Sequence, residues 1–67
     1  MRDLSIALLI IENSARDILR YCQAINLNQI IATDYIIAMK RLSMVELLYP
    51  ELSKFCSDAR YGYIIGI

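Results

Sequence analysis

A chain of 67 residues, 58% of them apolar, with seven basic and seven acidic side chains, is one domain at most and too short to bury all of its own apolar surface. Balanced charge excludes the broad basic field with which nucleic-acid binders neutralise phosphates, and the lack of any His removes the commonest general base. Two cysteines, Cys22 and Cys56, stand without CxxC spacing, which suits neither a disulfide scaffold nor a zinc site.

The start of the chain carries a short apolar run over residues 4–11 that resembles a signal h-region. It ends at Glu12 and Asn13, follows an acid at Asp3, and leads to no small-residue cleavage site, so a mature, cytoplasmic chain is expected. No apolar run approaches the ~20 residues that span a bilayer.

Residues 4–25 hold Leu4, Leu8, Ile11, Ala15, Ile18, Cys22 and Ile25 at alternating spacings of four and three. That pattern predicts a helix with one apolar seam. Asp3 or Ser5 can cap its start. Glu12, Arg16, Arg20 and Gln23 gather opposite the seam, with Glu12 and Arg16 in the favourable i, i+4 order. Cys22, being on the seam, is expected to be a buried, unpaired thiol. Ile6, Leu9 and Ile10 fall outside the seam, so the first half of the helix is apolar nearly all round and needs cover on more than one side. Leu9 and Ile10, with Ile6, are therefore the expected centre of an intermolecular interface.

Asn26, Leu27 and Asn28 interrupt the periodicity and predict a tight connection between antiparallel helices, because Asn competes for local backbone bonds. Asn28 is the expected cap of the next helix, with Thr33 or Asp34 as the alternatives. Residues 29–48 repeat the arithmetic with Ile31, Tyr35, Ala38, Leu42 and Val45, and carry a second line, Ile30, Ile37 and Met44, at intervals of seven. Two apolar flanks imply a central helix with two neighbours. Asp34 and Arg41 share a face seven residues apart and are expected to form a half-buried ion pair. Ser43 and Glu46 fit a capping box; they fit the interior of a continuing helix equally well.

Pro50 suits the first position of a third helix, over residues 50–60, with Leu52, Phe55, Cys56 and Ala59 on its packed face and Glu51, Lys54 and Asp58 on its solvated one. Gly62 is placed to end it in a left-handed cap. The tail 61–67, apolar with two Gly, either straps over the bundle or protrudes to engage a partner.

The carboxylates are dispersed rather than paired, and no phosphate loop, metal cluster or nucleophile–base pair is present. Five Tyr provide apolar area with a polar tip, a composition suited to interfaces. Tyr35 is expected in the core; Tyr21, Tyr49, Tyr61 and Tyr63, with Ile64 and Ile65, are interface candidates. The expectation is an all-α protein: a small antiparallel helical hairpin plus a short third helix, its bundle completed by oligomerisation, most simply a homodimer. Its expected function is non-enzymatic protein–protein interaction as a regulator, adaptor or chaperone, without cofactor or metal. The alternatives are a dimeric DNA-binding regulator that gathers Arg16, Arg20, Lys40 and Arg41, and a membrane-surface helical protein built on the N-terminal half.

Overall fold

The computed structural model describes residues 3–24 and 29–62. These form an all-α arrangement of three helices: α1 (Ser5–Gln23), α2 (Gln29–Leu48) and α3 (Ser53–Ala59), the last preceded by a 3-10 turn at Pro50–Leu52. The connection around Asn26, Asn28 as a cap, the seam residue Ile25, and the tail with Tyr63, Ile64 and Ile65 lie outside the described residues.

Helix α1 begins where the Asp3 carboxylate accepts two hydrogen bonds from Ser5, from its N–H at 2.9 Å and from its hydroxyl at 2.5 Å. The hydroxyl and then the N–H hold the Asp3 carboxyl below the usual carboxylate range. Arg16 pairs with Glu12 at 2.6 Å and Arg20 with Asp17 at 2.8 Å, one turn apart along the outer face. The helix stops at Ala24, whose backbone is extended.

Helix α2 runs unbroken through Ser43, whose hydroxyl donates to the Met39 carbonyl at 3.2 Å. Ser43 is thus an interior residue satisfied by the preceding turn, and of the two readings the continuing helix is the one realised. Pro50 then sets the 3-10 turn, where the Leu52 N–H reaches the Tyr49 carbonyl at 2.9 Å and the Ser53 hydroxyl reaches the Pro50 carbonyl at 2.7 Å. Proline fits this point because its missing N–H would be unpaired at a helix start anyway. Helix α3 closes with the Gly62 N–H on the Ala59 carbonyl at 2.8 Å and Gly62 at φ +80°. A Cβ at Gly62 would stand 3.1 Å from Leu19 Cβ and 3.2 Å from its Cα, so glycine serves both the left-handed turn and the close approach to α1.

Ala7, Ile11, Ala15 and Ile18 of α1 meet Ala38, Leu42 and Val45 of α2, with Leu52, Cys56 and Ala59 closing the third side. Leu4, Leu8, Ile10, Tyr35, Met39, Tyr49 and Phe55 pack around this centre. Four of the ten core residues are Ala, so the helices approach closely. Ile11, Ile18 and Leu42 supply the largest individual burial terms, about 1.5–3 kcal/mol each. Ser14 is fully buried on the same face and its hydroxyl has no hydrogen-bond partner among the described residues.

Three expectations are corrected by this packing. Cys22 is exposed rather than buried, while Cys56 is the buried thiol; both are free. The reason is that α3 stops short: Gly62, which follows it, lies against Leu19, about one turn before Cys22. Asp34 pairs not with Arg41 but with Arg20 of α1, at 3.3 Å. Seven residues along one helix are separated by about 10.5 Å, too far for direct contact, whereas the neighbouring helix brings Arg20 alongside. Finally, the second apolar flank of α2 has no neighbour within the described chain: Ile30, Ile37 and Met44 are all exposed.

Candidate interaction surface

The last of these corrections defines the surface. One face of α2 supplies the core through Ala38, Leu42 and Val45, and α3 is tied to a different side of the helix. There the Arg60 guanidinium donates to the Glu46 carboxylate, and its other terminal nitrogen reaches the Ser43 hydroxyl at 3.4 Å. At about 100° per residue, Glu46 lies nearly opposite the line of Ile30, Ile37 and Met44, and Ser43 about a third of a turn from it. The two neighbours of α2 thus leave that line in solvent. Ile30 is 74% exposed, Met44 60% and Ile37 39%. Leu48 continues the line one turn beyond Met44 and is itself 58% exposed.

On one shoulder of this stripe stand Asp34 and Arg41; on the other stand Thr33 and Lys40. Arg41 and Lys40 are exposed and make no ion pair among the described residues. At the head of the stripe a shallow depression of about 390 Å³ is lined by Gln29, Ile30, Thr33 and Asp34. Its open, mixed lining resembles a surface hollow more than an enclosed small-molecule site.

The described residues singled out for an interface are placed differently from one another. Ile6 and Leu9 are exposed, at 70% and 54%, on the outer face of α1. Ile10 is half-buried and packs against the core, so it belongs to the fold as well as to any interface. Tyr21 is half-buried and stacks on Tyr35 with ring centroids 4.2 Å apart, an aromatic clasp that joins α1 to α2 near their connection. Tyr49 packs against the core, and Tyr61 is exposed. Periodicity had shown the Ile30, Ile37 and Met44 line, but its exposure depends on where α3 packs.

The titratable groups do not converge on a chemical centre. No three His, Cys, Asp or Glu side chains come together as metal ligands among the described residues. Burial pushes the Cys56 thiol up, the Glu46 charge adds to this, and Arg60 partly opposes it; a thiol so held stays protonated and unreactive. Arg16 and Arg20 are both engaged by carboxylates, which removes two of the four cations from any phosphate-binding patch. Among the described residues no helix is long and apolar enough to cross a membrane. Comparison with protein-family models, with curated proteins and with solved structures finds no match to this chain.

Proposed function

We propose that this chain is a small, non-enzymatic protein–protein interaction module that works in the cytoplasm by laying an apolar helix face against a partner protein. The observation that carries the reading is the inversion of its apolar residues. The core is stocked with Ala, while Ile30, Ile37, Met44, Leu47 and Leu48 of α2 and Ile6 and Leu9 of α1 stand in solvent. Leaving large aliphatic side chains uncovered forfeits much of the roughly 1.5–3 kcal/mol each could contribute by burial. A contiguous stripe of them at helical spacing is the form of a helix-in-groove or helix-on-helix contact. The free cations Lys40 and Arg41 sit at its rim, where charge sets orientation and specificity more than affinity.

The test is capture of partners from the source cell with the wild-type chain and with a variant carrying Ile30→Glu, Ile37→Glu and Met44→Glu. The reading expects specific partners, another protein or the chain itself, that the folded variant loses. A variant that keeps its helix content and every partner would refute it. Binding of the wild type to generic DNA with a steep salt dependence, or co-sedimentation with liposomes, would replace it by the nucleic-acid or the membrane-surface reading.

A further inference from the structure

The charges flanking the stripe carry a more specific assignment, which rests on the interaction reading above. We propose that the Ile30, Ile37 and Met44 face of α2 pairs with the same face of a second copy of this chain, the two α2 helices running antiparallel across a twofold axis.

The stripe has the spacing this requires. Three apolar residues at intervals of seven extend over about 21 Å of helix, and a seven-residue period is the repeat that keeps one seam against a neighbouring helix. Thr33, Lys40 and Leu47 stand three residues after each of them and complete the seam. Lys40 can lie across the apolar centre with its stem packed and its ammonium in water, and a polar residue at one seam position is a known means of fixing register. The Asp34 and Arg41 shoulder is clear of α3, because Arg60 is held by Glu46, nearly opposite the stripe, and reaches Ser43 on the other shoulder.

Charge chooses both the occupant and its direction. Asp34 and Arg41 follow Ile30 and Ile37 by four residues each and so share one shoulder of the seam. When two copies of a helix pair antiparallel, equal shoulders face each other. Asp34 then meets the second copy's Arg41, and Arg41 meets the second copy's Asp34. One shoulder is thereby complementary to itself, as a twofold interface demands. In a parallel pair opposite shoulders would meet, setting Asp34 against Gln29 and Arg41 against Ile36, with no ion pair in either place.

The free chain is prepared for the antiparallel match. Arg41 is exposed and has no ion pair among the described residues. Asp34 is held by Arg20 at 3.3 Å through one carboxylate oxygen, which leaves the other able to accept a second guanidinium. The seam is short beside the ~800 Å² per partner of a standard interface, so a dimer of micromolar rather than nanomolar strength is expected.

Sedimentation of the full chain across the micromolar range tests the assignment. The wild type should pass from monomer to dimer. Asp34→Arg and Arg41→Asp should each raise the dissociation constant at least about tenfold, since each sets like charges together twice in the homodimer. The double reversal, Asp34→Arg with Arg41→Asp, should restore association, and so should an equimolar mixture of the two single variants. Circular dichroism controls for folding. Should Asp34→Arg lose helix because it also breaks the bond to Arg20, Arg41→Asp, which leaves that bond in place, carries the test. Single variants that associate as tightly as the wild type, or a folded double reversal that does not recover, would overturn the pairing. A wild type that stays monomeric would also overturn it, while the broader interaction reading would stand or fall on partner capture.

Discussion

Helix α2 carries two apolar lines of similar regularity and opposite fate. Ala38, Leu42 and Val45 are buried to within 4% of full enclosure, whereas Ile30, Ile37 and Met44 are between 39% and 74% exposed. Composition would favour the second line for burial, since it holds the larger side chains. The difference lies in the neighbours: α1 and α3 close on the first line from two directions, and the chain has no further described helix to set on the second. Periodicity therefore states which residues can be buried together, and the number of helices decides which of them are.

The sharpest way to break this comparison is to truncate one residue on each line. Leu42→Ala is expected to cost about 2–5 kcal/mol of folding stability, because it removes a fully buried side chain from a close-packed centre. Ile37→Ala should cost less than about 0.5 kcal/mol at the lowest protein concentration used, as is usual for surface sites. Its cost should grow with concentration where a second copy covers it. Denaturant unfolding at several protein concentrations measures both, and equal costs would remove the distinction between the lines.

A smaller effect is expected at the edge of the covered region. Gly62→Ala should destabilise by about 1–2 kcal/mol, since the residue has φ +80° and a Cβ would crowd the Leu19 backbone. The same measurement reports on how firmly α3 holds the covered side. Inside that side, Ser14→Ala should instead stabilise by about 1 kcal/mol, because it removes a buried hydroxyl without a hydrogen-bond partner and changes the volume little.

The two thiols give the finest contrast. Cys22 should react with a thiol reagent in the native protein, while Cys56 should react only as the fold opens. Burial raises the Cys56 pKa, so the folded state keeps this proton when the unfolded state has lost it. Its contribution to stability is complete below the ordinary thiol value of 9.0 and is lost as pH rises through the folded value. Stability should therefore decline in the alkaline range, by less than the effects above, and Cys56→Ala should flatten that decline when pH-dependent unfolding is compared with the wild type.

The all-α class was legible from spacing alone, and so was the packed character of Ile11, Ile18, Leu42 and Cys56. What escaped the sequence is what depends on two elements at once. The seam of α1 loses Cys22 because α3 ends too early to reach it. Its packed face also takes in Ala7 and Ser14, since the buried face of a helix in a bundle is about 100° wide and includes a line beside the seam. A polar Ser at a core position gives no apolar signal. The partner of Asp34 could not be found along its own helix, since Arg20 is fourteen residues away and on α1. Glu46 and Arg60 likewise join α2 to the turn after α3, a link no single-helix pattern contains. For the surface, the stripe was visible as a pattern, but its exposure was not, because exposure is set by what fails to pack there.

The clasp of Tyr21 on Tyr35 has a practical corollary in the optics of this protein. The chain contains no Trp, so its near-ultraviolet signal is dominated by five phenol rings, and two of them are stacked with centroids 4.2 Å apart. Rings so close couple electronically and quench one another, and the pair bridges α1 and α2 beside their connection. Separation of the helix ends would brighten tyrosine emission and diminish near-ultraviolet circular dichroism while backbone ellipticity at shorter wavelengths persists. Fraying of the hairpin at its turn can thus be watched apart from global melting, without attaching a dye.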